Sequence, residues 1–302
     1  MNYTPSYIEL YKSGELNKRI ESAGIICKKC SLCPHNCGVD RNICSDGYCR
    51  SSIEPVVSSA FPHFGEESPL VGTNGSGTIF FTNCNLQCIY CQNCDISQME
   101  NGQEISYEEL ADIMIDLQQK GCHNINFVTP THMIYPVLRA LKISIEKGLK
   151  IPLVYNSGGY DSVKTLRLLD GIIDIYLPDF KYFDEKTGYS LSNARYYPLI
   201  AQIAIREMFR QVGELITDKN NIAYRGLIVR HLALPGYSSE SKKILDFLAG
   251  LSKNIYVNIM DQYRPEYRAV EQSNLNRRIT EEEFREIITY AKDIGLAVLS
   301  PL

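Results

Sequence analysis

The cysteines constrain this chain most: it has eleven in 302 residues, and ten of them fall between residues 27 and 94. A disulfide scaffold is not expected, because the chain is long, the count is odd, and the N-terminus lacks the basic and apolar stretches of a signal peptide. Closely spaced cysteines in such a chain instead predict ligands for a metal or an iron–sulfur cluster. Reduced cysteines also predict a cytoplasmic location.

The composition narrows the class of protein further. Hydrophobic residues make up 44% and charged residues 22% of the chain, which is typical of a globular protein and not of a disordered one. The net charge of −4 argues against binding through a basic surface, so nucleic acid is not expected as a partner. No apolar run approaches the ~18 residues of a membrane helix, so no membrane association is expected.

Strand and helix patterns alternate from residue 78 to the end of the chain. Amphipathic helical stretches separate short apolar segments, and capping patterns at Ser106 and Thr280 mark the start of two helices. This alternation predicts parallel βαβ units, with the active site at the carboxyl ends of the strands. The predicted strands are 78–81, 124–128, 151–155, 172–177, 226–232, 254–260 and 296–299.

The N-terminal part of the chain has a different character. Residues 1–26 predict a short polar helix, and residues 27–77 are rich in Cys, Gly, Pro and Ser with almost no periodicity. A segment of this kind has little core of its own, so a metal would help to organise it. The predicted organisation is therefore a helix and Cys-rich metal-binding segment over residues 1–77, followed by an α/β domain over residues 78–302.

Cys84, Cys88 and Cys91 follow the first predicted strand at the spacing C-x3-C-x2-C. Three thiolates can hold three irons of a [4Fe–4S] cluster and leave the fourth iron open for a ligand, whereas an electron carrier normally fills all four positions. One alternative adds Cys94 as a fourth thiolate. Another leaves the cysteines as buried structural residues without a metal.

This spacing, with Tyr90 just before the third cysteine, resembles that of the radical S-adenosylmethionine (SAM) superfamily. The similarity covers nearly the whole chain and is strongest to an uncharacterised branch related to the activating enzyme of pyruvate formate-lyase. It implies a partial (β/α)6 barrel like part of a TIM barrel, with Cys84, Cys88 and Cys91 as cluster ligands and Tyr90 at the cofactor. The matching segments are 33–41, 63–67, 75–81, 177–181 and 229–236.

The resemblance also implies an activity and its cofactors. The protein would be an oxidoreductase that uses a [4Fe–4S] cluster to cleave SAM reductively to methionine and a 5′-deoxyadenosyl radical, which abstracts hydrogen from a substrate. A flavodoxin or ferredoxin would donate the electron. Three functions stay open: activation of a glycyl-radical protein at a backbone glycine, modification of a small molecule or a protein side chain, and electron transfer without catalysis.

Charged residues at two strand ends match positions that approach SAM in the family. The resemblance places Asp179 and Lys181 near the SAM carboxylate and ribose, as candidate catalytic residues, and Arg230 near the SAM carboxylate. Lysine and arginine are suitable partners for a carboxylate. The alternative is that these charges are solvated or cap a strand end.

The chain departs from the family after the second predicted strand, where many members have Gly-Gly-Glu and this sequence has Val-Thr-Pro-Thr-His. A backbone contact to the SAM amino group does not require glycine, so Thr129 and Thr131 are expected to line the site. His132 faces the substrate as a catalytic residue or is a structural residue at a helix start. Asn156 and Ser157 match a polar pair near the same site.

The second group of cysteines precedes the barrel and contains Cys27, Cys30, Cys33, Cys37, Cys44 and Cys49. The first four reproduce the spacing of bacterial ferredoxins, although proline follows the third cysteine instead of the fourth. The favoured set fits the resembling proteins and consists of Cys30, Cys33, Cys37 and Cys49. It would hold zinc or an auxiliary [4Fe–4S] cluster, or stay reduced and metal-free.

A charged loop connects the two groups of cysteines. His63, Glu66 and Glu67 lie in it, shortly before the first predicted barrel strand. Such a loop can reach the substrate, where these residue types serve acid–base chemistry or binding. The alternative is a solvated surface loop.

Overall fold

The computed structural model describes residues 3–298, and its centre is a nine-stranded sheet. Strands β2, β4, β5, β6, β8 and β9 are parallel neighbours in that order, while β1 and β7 pair antiparallel with β2 and β8. The strands are β1 (Val56–His63), β2 (Ser76–Phe81), β3 (Gln103–Glu104), β4 (Ile125–Val128), β5 (Leu153–Ser157), β6 (Ile175–Pro178), β7 (Ile216–Thr217), β8 (Ala223–Leu232) and β9 (Tyr256–Met260).

Helices connect successive parallel strands. The helices are α1 (Tyr7–Lys12), α2 (Glu15–Lys28), α3 (Ser68–Val71), α4 (Cys94–Ser97), α5 (Tyr107–Gln119), α6 (Ile134–Glu146), α7 (Val163–Leu168), α8 (Glu185–Ser192), α9 (Tyr197–Val212), α10 (Ser238–Leu251) and α11 (Glu281–Asp293), with a 3-10 helix at Tyr267–Glu271. Six parallel strands with intervening helices confirm the predicted α/β partial barrel. None of the helices described here has the length and apolar character needed to cross a membrane.

Local sequence signals explain where several helices begin. Ser106 accepts a hydrogen bond from the amide of Glu109 at 3.1 Å, and the Glu109 carboxylate accepts one from the Ser106 amide at 2.7 Å. Thr280 and Glu283 make the same reciprocal pair at the start of α11. Each cap satisfies amides that the first helical turn leaves without partners, so the predicted starts of α5 and α11 are confirmed.

The structure differs from the predicted strands at both ends of the barrel. Strand β1 was not expected, because residues 56–63 do not alternate between apolar and polar, yet it pairs with β2 from Val57 opposite Phe81 to His63 opposite Ser76. Strand β2 itself crosses the boundary predicted between residues 77 and 78, so the sheet continues into the N-terminal segment. Of the predicted strand 296–299, the structure shows a single parallel bridge between Val298 and Val257, and residue 299 lies outside the described residues.

A buried arginine attaches the Cys-rich segment to the barrel. Arg41 is 1% exposed, and its guanidinium donates hydrogen bonds to the carbonyl oxygens of Ser51, Ser52 and His132 at 2.5 to 3.1 Å. The last of these belongs to the loop between β4 and α6. Helix α2 packs against α6 and α7, so the N-terminal helices cover the outside of the barrel.

Candidate active site

A cavity of about 560 Å³ opens at the carboxyl ends of the parallel strands, where the βαβ pattern predicted it. The loop after β1 and the ends of all six parallel strands contribute to its wall. Residues that line it include His63, Glu66, Glu67, Phe81, Cys84, Cys88, Cys91, Thr129, Asn156, Ser157, Asp179, Lys181, Arg230, Asn258 and Met260. The structure thus brings together residues that the sequence separates by almost 200 positions.

Cys84, Cys88 and Cys91 face this cavity from the loop after β2. The Cys84 thiol accepts a hydrogen bond from the Leu86 amide at 3.3 Å, and the Cys88 thiol accepts one from the Ser192 hydroxyl at 2.9 Å. Burial raises the pKa of Cys84 and Cys88, and the charges of the neighbouring thiolates add to the effect. Because the thiolate is the form that binds metal, three cysteine side chains on one wall fit a cationic group such as the core of an iron–sulfur cluster.

Cys94 stands apart from the other three. It begins the short helix α4 and is half-buried, and it does not line the cavity. The charge of Cys91 does reach it, and together with burial it raises the pKa of the Cys94 thiol. The arrangement therefore favours three cysteines on the cavity wall over a set of four.

Asp179 and Lys181 form an ion pair of 2.6 Å on the wall beside the cysteines. Burial acts to lower the pKa of Lys181, but the charges of Asp179 and of a Cys88 thiolate raise it well above its usual value. Lys181 is therefore a protonated cation next to the cysteine group. It can bind an anionic group of a ligand in the cavity.

Arg230 lies between two carboxylates, which differs from the direct contact with SAM expected for it. Its Nε and Nη2 atoms donate to the Glu67 carboxylate at 2.6 Å each, and Nη2 also donates to Glu66. Asn258 donates a further hydrogen bond to Glu67 at 2.8 Å. A ligand carboxylate would have to compete with both glutamates for this arginine, so the geometry assigns Arg230 first to holding the loop that carries them.

The electrostatics of this group favour the charged forms of Glu66 and His63. Burial acts to raise the pKa of Glu66, but the charge of Arg230 and the nearby imidazole of His63 lower it to about 2. The same carboxylate raises the pKa of His63, whose Nδ1 atom is 3.3 Å from it. The predicted loop therefore reaches the cavity. Asn258 was not among the site residues predicted from the sequence, because the one local indication of its role is that it is a polar residue within the otherwise apolar strand β9.

Three residues predicted to face a ligand are placed elsewhere. Tyr90 is 4% exposed and its hydroxyl is bonded to that of Tyr182 at 2.5 Å, so it lies behind the cavity wall. Thr131 donates to Asp161 at 2.8 Å inside the protein. His132 bonds the Thr82 carbonyl at 2.8 Å, and burial lowers its pKa to about 3. These contacts make His132 a neutral structural residue, which replaces the predicted catalytic role.

The second group of cysteines is also gathered in space. Burial raises the pKa of Cys33, and the charges of Cys49, Cys30 and Cys37 raise it further, so these four thiols lie near one another. Cys27 is completely buried in helix α2; burial raises the pKa of its thiol and the charges of Cys30 and Cys49 raise it further, so Cys27 lies near this group as well. In residues 3–298, at either group of cysteines, no three His, Cys, Asp or Glu side chains are arranged as the ligands of a single metal ion. A metal at this second group stays a prediction.

Known proteins resemble the chain as follows. Residues 78–248 match the family model described as the radical SAM superfamily. The chain is 34% identical to the uncharacterised protein MJ0674 of Methanocaldococcus jannaschii over 308 residues, which covers 99% of this chain and 84% of that protein. A domain of a pyruvate-formate lyase-activating enzyme from Bacteroides vulgatus is 14% identical, with a TM-score of 0.39 over 64% of this chain and 89% of the domain.

A similar barrel is found in SuiB of Streptococcus suis. The structure of SuiB bound to S-adenosylmethionine has a TM-score of 0.51 and 14% identity, over 73% of this chain and 48% of SuiB. SuiB bound to its precursor peptide SuiA has the same TM-score with 13% identity, over 72% of this chain and 47% of SuiB. The chain thus spans about half the length of SuiB, and at this identity the similarity concerns the fold.

Proposed function

The chain belongs to the radical SAM superfamily, and we propose that it is a catalytic member that binds a [4Fe–4S] cluster through Cys84, Cys88 and Cys91 and binds SAM in the adjoining cavity. The observation that carries this proposal is that the three thiols line one wall of the cavity while Cys94 does not. Three thiolates leave one iron open for a ligand. A cavity beside that position has no evident use in an electron carrier.

When bound, the cluster and SAM supply a 5′-deoxyadenosyl radical that takes a hydrogen atom from a substrate. The chain's own residues would bind these groups and orient them. Lys181 holds a positive charge between Asp179 and the thiol of Cys88, where it can bind an anionic group of SAM. Thr129, Asn156 and the backbone at Ser157 supply polar groups at the ends of β4 and β5.

The test of this proposal is anaerobic reconstitution with iron and sulfide, followed by addition of SAM and dithionite. We expect 5′-deoxyadenosine and methionine as products, and a change in the electron paramagnetic resonance (EPR) spectrum of the reduced cluster when SAM binds. A fully loaded protein that shows neither result would be an electron-transfer protein, and the proposal would be wrong.

For the substrate we propose a hydrogen donor that enters through the open mouth of the cavity. A backbone glycine of a partner protein is one class, and a small molecule or a protein side chain is the other. SuiB, which shares the fold, binds a precursor peptide, and this supports a peptide substrate. An EPR-detectable glycyl radical on a protein encoded beside this one would select the first class. The electron donor would be a flavodoxin or ferredoxin.

The ion pair beside the cysteines gives a prediction for SAM binding. Asp179→Ala and Lys181→Ala should each weaken SAM binding roughly tenfold to a hundredfold, because a lost charge-assisted contact costs about 1.5–3 kcal/mol. Iron content should stay near that of the wild type. Titration of the reduced protein with SAM, followed by EPR, measures the affinity. The exposed Lys186→Ala is the control, and unchanged affinity in both test variants would contradict the assignment.

We further propose that the second group of cysteines binds a metal. Purified protein should contain about eight irons per chain, or about four irons and one zinc. Alanine variants that lose the second metal should be those of Cys30, Cys33, Cys37 and Cys49. Cys27→Ala and Cys44→Ala should keep it. Metal analysis measures the content, and an essential Cys27 with a dispensable Cys49 would select the ferredoxin-like set instead.

A further inference from the structure

Two aromatic rings stack between the two groups of cysteines. His35 lies in the loop between Cys33 and Cys37, and Tyr48 directly precedes Cys49. The ring centroids of His35 and Tyr48 are 3.4 Å apart and the ring planes differ by 15°. Each ring is therefore attached, within two residues along the chain, to proposed ligands of the second metal.

The same stack contacts the loop of the first group. The His35 Nε2 atom is 2.8 Å from the carbonyl oxygen of Asn85, the residue that follows Cys84. Tyr48 lies close enough to Cys84 for the two groups to interact electrostatically. From Cys49 through Tyr48, His35 and Asn85 to Cys84, the route contains one ring stack and one hydrogen bond, and every other step is a covalent bond.

The second group also extends from the protein surface to this stack. Cys37 is exposed, while Cys33 and Cys49 are buried at 8% and 7% exposure. The cavity at the first group is reserved, in the proposed function, for SAM and the substrate. A protein that donates electrons at another part of the surface would leave that cavity free, and it needs a point of contact there. The exposed side of the second group is such a point.

We propose that Cys30, Cys33, Cys37 and Cys49 hold an auxiliary [4Fe–4S] cluster, and that the stacked rings of His35 and Tyr48 conduct electrons from it to the site at Cys84. The inference rests on the proposed function of that site. A low-potential donor protein loses one electron, which reduces the auxiliary site and then the site at Cys84. No bond is formed or broken, and no proton is transferred. Zinc has no redox chemistry and could not serve this purpose.

EPR of the dithionite-reduced protein tests the location of the auxiliary cluster. With about eight irons per chain, we expect two signals that broaden each other magnetically, since the two sites are in contact through one stack. Cys49→Ala should remove about half of the iron together with this broadening. Bound zinc, or two signals without magnetic interaction, would overturn the proposal.

Rapid freeze-quench EPR tests the role of the rings. After mixing with reduced flavodoxin, the signal of the site at Cys84 should rise severalfold more slowly in His35→Ala and Tyr48→Leu than in the wild type. Tyr48→Phe, which keeps the ring, should restore the rate, and all three variants should show the magnetic broadening of the wild type. Equal rates would exclude the rings as the route. Failure of the proposed function is a separate result: dithionite-reduced wild type would then form no 5′-deoxyadenosine.

Discussion

Replacing Cys84, Cys88 or Cys91 by alanine is expected to abolish the formation of 5′-deoxyadenosine from SAM. Each of the three thiols lines the cavity, and each loss leaves one iron of the proposed cluster without its protein ligand. The cluster should then be lost or degraded, so no electron reaches SAM. Product formation after anaerobic reconstitution measures the effect, and iron content shows whether the cluster was assembled.

Cys94→Ala is the matched control for these variants. Cys94 is three residues beyond Cys91 but lies outside the cavity, at the start of α4. We expect this variant to keep both its iron and its SAM cleavage. If Cys94→Ala instead lost its iron as the other three variants do, the assignment of three cysteine ligands would be contradicted, and a set of four would replace it.

Arg230→Met is expected to lower the free energy of unfolding by about 3–5 kcal/mol, since it leaves a buried ion pair without one partner. Glu66 and Glu67 are 6% and 4% exposed, so neither carboxylate can be solvated without moving the loop. Denaturant unfolding under anaerobic conditions, on proteins with matched iron content, measures the change. The surface pair of Arg264 and Glu266 supplies the control, because Arg264→Met should cost less than about 1 kcal/mol.

Replacing the two glutamates by neutral glutamines shows whether Arg230→Met loses stability through unpaired charge or through lost packing. Combining Arg230→Met with Glu66→Gln and Glu67→Gln removes the uncompensated charges, and the triple variant should recover part of the lost stability. If Arg230→Met alone were as stable as the wild type, the guanidinium would not hold the loop. The expected contact of Arg230 with SAM would then have to be considered again.

The barrel could be predicted because its signals are local. Strands β5 and β6 are buried along their whole length, so their residues are mostly apolar, and capping residues mark α5 and α11. Strand β1 could not be predicted in this way. It is half-exposed and contains Pro62, and its pairing with β2 depends on tertiary placement.

The candidate site also contains some features that local sequence patterns predict and others that depend on tertiary placement. The cysteine spacing lies within eight residues of chain, and the structure places all three thiols on one wall as that spacing predicts. The partners of Arg230 are 163 and 164 positions away, and no local pattern indicates such a pair. The orientation of His132 was also hidden, because a histidine before a helix can turn outward or, as here, toward Thr82.

The buried guanidinium of Arg41 bears on how the protein matures. It is part of the Cys-rich segment, yet it satisfies the carbonyl of His132 in the loop that precedes α6. Without that segment in place, this buried carbonyl would lack its partner and the loop would lose a stabilising contact. Docking of the Cys-rich segment and completion of the barrel are therefore coupled steps. The segment has to fold before, or while, the mouth of the barrel acquires its final shape.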